Sequence, residues 1–317
     1  MQCVILAAGK GTRLLPITSK RPKAMLPILG KPIIERVMES LRNDVIDEFI
    51  LVVNPKDHEI IDYFQHKSSF DTKVRFAYQV EPLGTANALN CAAPLIRGDF
   101  VLSACDNLMP DGDIQHMFDA WREKTRPTAI LALMRVSREM TNRSGMVKIE
   151  DGWVQSIIEK PEPEEAPSDI ASLPLYYLPY AILDFLNNVK RSPRGEYELQ
   201  DVIQMLIENM GFVRGILVSS RLTLTEPVDL LHINRHYLSA NSSQVINMSK
   251  SIGVNTRLKP PLYIEAGSII GKNCLIGPNV YIEHECYIRD GSVIQDSILL
   301  RGASIQPGVN IRSEVVY

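Results

Sequence analysis

The chain has 317 residues, 45% of them apolar, and a formal net charge of −3. That length holds one large or two modest domains of ordinary globular composition, and the charge gives no general basic field for nucleic acid. No apolar run is long enough for a bilayer, no cationic leader opens the chain, and the five cysteines lack paired or metal-like spacing, so a cytoplasmic protein without a membrane partner is expected.

Residues 3–6 are an apolar run that reads as a buried parallel strand. Ala7, Ala8, Gly9 and Gly11 follow it with little side-chain bulk, so backbone N–H groups there can close around a phosphate. Arg13 adds a planar cation whose donors match phosphate oxygens. Lys23 and a Gly30-Lys31-Pro32 turn come shortly after. Up to about residue 220, strand patterns at 48–53, 74–79, 100–104 and 128–134 alternate with helical patterns at 32–42, 56–66, 85–93 and 111–124. This alternation predicts a mostly parallel sheet with helices on both faces, and ligands beyond the carboxyl ends of its strands.

Three further stretches stand at strand ends. Gln79 ends a strand, offers a donor and an acceptor to a base edge, and is followed by Gly84 and Thr85 at a helix start. Asp106 follows the apolar strand 100–104, where an Asp-Asn pair by itself reads as a turn former. Strand patterns at 146–149 and 153–159 place Gly145, Glu159 and Lys160 at their ends, ahead of a surface loop over 160–169. A helix at 197–209 and a strand at 212–219 follow. His232 and His236 are four apart with no third ligand pattern, so they read as solvated helix residues.

The tail has another period. Ile252, Leu258, Ile264, Ile270, Ile276, Ile282, Ile288, Ile294 and Leu300 lie six apart; the phase then slips by one, and Leu299, Ile305 and Ile311 keep it. Six fits neither a helix nor an ordinary strand; it is the repeat of a parallel β-helix with three hexapeptides per coil. About three coils are expected, with no capping segment, so burial of an open end in a homo-oligomer or against the chain's own first domain is expected. We expect this tail to serve assembly rather than chemistry, with His284 a surface residue.

The loop over 7–13 combined with Lys23 and the Gly30-Lys31-Pro32 turn resembles the signature of the sugar-1-phosphate nucleotidylyltransferases, among them glucose-1-phosphate thymidylyl- and uridylyltransferases. The resemblance implies an α/β fold with a Rossmann-like nucleotidyltransferase domain over 1–238, a linker over 239–251 and a left-handed hexapeptide β-helix over 252–317. It also implies a Mg²⁺-dependent enzyme that transfers a nucleotidyl group from a nucleoside triphosphate, UTP or dTTP, to a sugar-1-phosphate and releases pyrophosphate. Leu6, Ala8, Gly9, Gly11, Thr12, Arg13, Gln79, Gly84 and Thr85 would bind the nucleotide. Arg13, Lys23 and Asp106 would be catalytic, with Asp106 on the metal. Gly145, Glu159, Lys160 and Tyr176 would bind the sugar phosphate.

Two departures from the family pattern stand out. Pro174 falls where a glycine N–H is usual. Thr223 falls where a second metal-binding aspartate is usual, so either Glu226, Asp229 or Asp201 substitutes, or the metal keeps more water, or catalysis is weak. Guanylyl transfer to mannose-1-phosphate, a non-catalytic nucleotide-sugar-binding regulatory subunit, and an acyltransferase acting through the β-helix are the alternatives.

Overall fold

The structure is a computed structural model describing residues 1–123, 126–240 and 242–317. Lys124, at the end of the predicted fourth helix, and Asn241, in the predicted linker, lie outside the described residues. By contacts the chain divides into two units, neither of them one continuous stretch. The first is Met1–Lys10, Pro22–Ala24 and Val37–Arg221; the second is Gly11–Arg21, Met25–Arg36 and Leu222–Tyr317.

An uninterrupted apolar strand needs a neighbour on each side and a cover on each face. The strands of the first unit are β1 (Gln2–Leu6), β2 (Glu48–Val53), β3 (Lys73–Tyr78), β4 (Phe100–Ala104), β5 (Ala129–Arg135), β6 (Gly145–Glu150), β7 (Trp153–Glu159), β8 (Ile170–Leu178) and β9 (Val213–Leu217). They form one sheet in the order β3-β2-β1-β4-β8-β5-β9-β7-β6. β3, β2, β1 and β4 are mutually parallel, with Leu6 level with Val52 on one side and Ala104 on the other. β8 runs antiparallel to both β4 and β5, and β7 runs antiparallel to β9 and β6. The sheet is therefore mixed, not mostly parallel as expected.

The difference comes from β8, a central strand that the sequence pattern did not give. Pro174 removes a ladder donor, and the register against β5 shifts between Ser172 and Tyr176, around this proline. Among the helices are α1 (Ile33–Leu41), α2 (His58–Asp62), α3 (Thr85–Ala92), α4 (Asp111–Trp121), α5 (Leu199–Met210) and α6 (Pro227–Ser239). Val4, Ile50, Leu102 and Leu131 of the sheet pack with Leu89 of α3 and Val202 and Leu206 of α5 in one core. Burying each such side chain contributes about 1.5–3 kcal/mol.

In the second unit, the segment over 245–317 forms three sheets of short parallel strands. Leu262–Ile264 pairs with Val280–Ile282, 18 residues on, whereas Ile282 pairs with Leu299, 17 on. The change of spacing falls at the slip in the sequence period. Ile264, Ile270, Ile276, Ile282, Ile288, Ile294, Leu299, Ile305 and Ile311 form one buried core. Ile252 and Val254 of the first turn stay exposed. Val245–Asn247 already pairs with Leu262–Ile264, so the stack begins inside the expected linker over 239–251.

The second unit also takes in α6 and two N-terminal segments, so the division falls at Arg221 rather than near residue 238. Specific contacts hold those segments. Asn234 of α6 is buried; its Oδ1 accepts from Leu29 N at 3.0 Å and its Nδ2 donates to Pro27 O at 3.2 Å. Gly30 N donates to the Tyr281 hydroxyl at 3.3 Å. Arg21 forms a two-pronged pair with Glu283, at 2.8 and 3.1 Å, both side chains only 6% exposed. Removing one partner of such a buried pair typically costs about 3–5 kcal/mol. The stack thus covers part of the chain's own N-terminal region, beyond the assembly role expected of it.

Candidate active site

Four parallel strands of the first unit end at one edge, at Leu6, Val53, Tyr78 and Ala104. β1 is where the order reverses, with β2 on one flank and β4 on the other, the position at which ligands bind in open α/β sheets. The segments leaving these strands are fixed by backbone bonds: Ala7 N donates to Val52 O at 2.8 Å, Cys105 N to Leu6 O at 3.2 Å and Gln79 N to Val53 O at 2.9 Å. Ala8 is buried, and space is open where a Gly9 Cβ would stand.

Lys23 reaches this edge from its own short helical turn. Its Nζ lies 2.7 Å from Asp106 Oδ2, with the side chains 20% and 9% exposed. Two residues 83 positions apart in sequence, each singled out by its motif, are thus brought into one ion pair. Asp106 is the carboxylate of this pair. Among the described residues no cluster of three or more His, Cys, Asp or Glu could hold a metal. Of the expected substitutes for a second carboxylate, Asp229 and Glu226 are committed to the helix cap of α6, where Asp229 Oδ2 accepts from Thr225 N and Glu226 N at 2.7 Å. Asp201 has its carboxyl raised by burial and by Glu198. One carboxylate suits a Mg²⁺ ion that also takes phosphate oxygens and water.

Gly11, Thr12 and Arg13 belong to the second unit. Gly11 has a left-handed backbone (φ 60°) and its carbonyl accepts from Leu14 N and Thr18 Oγ1, each at 2.9 Å. Arg13 is exposed and forms no ion pair among the described residues.

Gln79 is buried and donates to Gly84 O at 3.1 Å and Asn87 Oδ1 at 2.8 Å, so its amide is already oriented. Gly84 serves packing: a Cβ there would stand 2.5 Å from Tyr197 O and 2.6 Å from Tyr197 N. The Thr85 hydroxyl accepts from Leu199 N at 3.0 Å at the start of α5. Neither position needs a nucleotide to explain its residue type.

The expected sugar side is assembled at the ends of β6 and β7. Glu159 is 9% exposed; its Oε1 faces Lys160 Nζ at 3.1 Å and Arg194 at 3.8 Å, while its buried Oε2 has no hydrogen-bond partner among the described residues. A Cβ on Gly145 would lie 3.2 Å from that free oxygen and 2.8 Å from Gln200 Cγ, so glycine keeps the space beside it clear. Lys160 has a positive φ of 45°, rare for a residue with a side chain, and its N–H donates to Ser144 O at 3.1 Å. Tyr176 is buried with Ser172 Oγ 3.3 Å from its hydroxyl, and burial pushes its phenol up to about 12.

Burial raises the Glu159 carboxyl above its ordinary range, with Lys160 working the other way. The charged carboxylate is the stronger acceptor, so if a sugar hydroxyl meets it as the resemblance implies, affinity for the sugar phosphate should rise as pH climbs through that raised value. We expect Glu159→Gln to weaken the KM for sugar phosphate about 10–100-fold, the worth of a hydrogen bond to a charged group, and to flatten this acid limb. A KM–pH series on both forms checks it; an unchanged limb in the variant would assign the titration elsewhere.

Sequence reasoning missed two residues. Asn107 is 3% exposed, and neither polar atom of its side chain has a partner among the described residues. Arg221 is partly buried; burial lowers its guanidinium from its ordinary value, and Asp106 and Tyr176 act in the opposite direction. The signals were adjacency to Asp106 for the first and a place two residues before Thr223 for the second. Cys105, pushed up to about 12 mainly by burial, carries a neutral thiol. His232 and His236 are exposed, as expected.

A small-residue loop and a Lys–Asp pair at the carboxyl edge of a mixed α/β sheet define a Rossmann-like nucleotidyltransferase fold. The pattern of the family described as Nucleotidyl transferase matches residues 2–215, and the chain belongs to that family. A second pattern, described as GMPPB C-terminal domain, matches residues 258–316. The chain is 35% identical over 272 residues to the "Bifunctional protein GlmU" of Methanococcus maripaludis (strain C7), covering 85% of this chain and 62% of that protein. It therefore spans less than two thirds of that relative's length. It is 32% identical to the "UTP--glucose-1-phosphate uridylyltransferase AglF" of Haloferax volcanii, over 72% of this chain and 93% of that one. A crystal structure of UDP-glucose pyrophosphorylase complexed with UDP-glucose shares the fold, with a TM-score of 0.66 at 22% identity over 75% of this chain and 98% of that one. No helix among the described residues is long and apolar enough to cross a membrane.

Proposed function

We propose that the protein joins a nucleoside triphosphate, UTP or dTTP, to a sugar-1-phosphate, releasing pyrophosphate. The observation that carries this reading is the Lys23–Asp106 pair at the point where the sheet order reverses. The 32% identity to a uridylyltransferase supports it. A sugar-phosphate oxygen attacks the α-phosphorus in line, and pyrophosphate departs from the opposite side. Lys160 holds the sugar phosphate, and the free Oε2 of Glu159 accepts from a sugar hydroxyl. Lys23 moves from Asp106 to an α-phosphate oxygen, where its charge offsets the negative charge shifting toward the leaving group. Asp106, so released, would hold Mg²⁺, which neutralises phosphate charge when bound. Arg13 steadies the departing pyrophosphate, Gly9, Gly11 and Thr12 cradle the triphosphate, and Gln79 orients the base.

The C-terminal stack, on this reading, is a left-handed parallel β-helix of hexapeptides. The exposed Val245, Ile246, Met248, Ile252 and Val254 of its first turn support a homo-oligomer, which light scattering tests. The commitment of Asp229 and Glu226 to a helix cap favours one second reading, a regulatory subunit that binds a nucleotide sugar without converting it. A pyrophosphate-release assay over UTP, dTTP and GTP against a set of sugar-1-phosphates, with and without Mg²⁺, separates the two. We expect metal-dependent turnover with UTP or dTTP. Calorimetric binding without turnover would give the regulatory reading instead.

A further inference from the structure

We propose that the C-terminal stack acts as the template for the phosphate loop, with Glu283 and Arg21 as positioning residues for Arg13. This inference rests on the reading of Gly11, Thr12 and Arg13 as the triphosphate-holding loop.

All of the groups involved lie in the second unit. The segment Gly11–Arg21 contains only two short turns, Thr12–Leu14 and Ile17–Ser19. Its internal bonds, Leu14 N and Thr18 Oγ1 to Gly11 O, close the first turn but do not fix it in space. Leu14 and Ile17 are buried, which holds the loop down without setting its orientation, because apolar contacts are not directional. The directional anchor is Arg21. Its guanidinium meets both Glu283 oxygens in parallel, a geometry that fixes angle as well as distance.

Glu283 is itself held from several sides. Its Oε2 also accepts from Arg301 N at 2.7 Å. Its backbone N–H donates to Leu299 O at 2.9 Å, and its carbonyl accepts from Ser268 Oγ at 3.0 Å. The backbone of Glu283 is thereby tied to neighbouring turns of the stack, and its carboxylate to Arg301 N. A buried ion pair is weak as a source of stability, since desolvating both charges offsets much of their attraction. A geometric role accounts better for keeping one here. An exposed, mobile arginine would have to be ordered during each turnover, whereas charge preorganised in a fixed loop is already in place when the leaving group develops its own.

The test uses the full chain with Glu283→Gln, Arg21→Lys, and Arg21→Met combined with Glu283→Gln. Glutamine still accepts from Arg301 N, and lysine keeps the charge without the fork. Turnover is read as kcat and triphosphate KM. Hydrogen exchange is read separately for amides 11–21 and for those of the stack at 262–264 and 280–282, with inorganic pyrophosphate as the binding probe. We expect Glu283→Gln to lower kcat at least 10-fold, and to speed exchange over 11–21 by a similar factor while the stack stays protected. The combined variant should be no worse than either single change. Should Glu283→Gln lose the stack's protection, Arg21→Lys decides by the same readings. Unchanged kcat and loop exchange with a protected stack would overturn the inference. If the unsubstituted protein shows no turnover in the triphosphate grid, the functional reading fails on its own, and the exchange of 11–21 with and without pyrophosphate still decides whether Glu283 shapes the loop.

Discussion

Replacing Asp106 by alanine is expected to lower pyrophosphate release at least 100-fold while leaving the fold intact. Asp106 follows β4 at the edge where that strand lies beside β1, and on the proposed reading it is the carboxylate that would hold a cation among phosphates. On that reading its loss removes both a metal ligand and the partner that faces Lys23 at 2.7 Å. The fold should survive because Lys23, partly exposed, can be hydrated, and because β4 is held by Phe100, Val101 and Leu102 rather than by its terminal acid. The measurement is turnover against Mg²⁺ concentration, with far-UV circular dichroism and a melting curve as controls. The isosteric Asp106→Asn change should fail as well, because an amide lacks the charge and has one acceptor oxygen in place of two. Undiminished turnover in Asp106→Ala with a native melt would remove the metal assignment.

Lys23→Ala and Arg13→Ala are expected to lower kcat by about 10²–10³-fold each, the usual effect of losing one preorganised partner of transition-state charge. The physical setting differs between them. Lys23 faces a carboxylate at 2.7 Å, so its charge is stored against Asp106 until a phosphate competes for it. Arg13 is exposed and forms no ion pair among the described residues, so its charge is available from the start. Triphosphate KM should therefore move more in Arg13→Ala, and kcat more in Lys23→Ala. Because Lys23 and Asp106 touch, Lys23→Ala combined with Asp106→Ala should lose less than the product of the single losses. Rates within a factor of three of the parent for either single variant would mean that its charge does not act in the transition state.

Periodicity and local chemistry determined a good part of this protein. Strands 48–53 and 100–104 form as their patterns predict, because a run of apolar residues buried on both faces has few other solutions. The slip of the repeat at Leu300, with Leu299 keeping the period, is visible in the chain and returns as the change from an 18- to a 17-residue pairing, because the spacing of inward residues sets how the turns align. Lys23, Asp106, Gly145, Glu159 and Lys160 were singled out in the sequence because each stands beside a strand pattern or in a dense local motif. The tertiary structure alone decided the rest. β8 was hidden because Pro174 breaks its pattern, and only a bulge in the middle of the sheet accommodates it. That a Cβ at Gly84 would meet the Tyr197 backbone could not be read from the sequence. No window of sequence relates Arg21 to Glu283, 262 residues on, or Leu29 to Asn234, 205 residues on. Pairings at such separations are set by which surfaces meet once the core has formed. They gave the second unit its N-terminal segments.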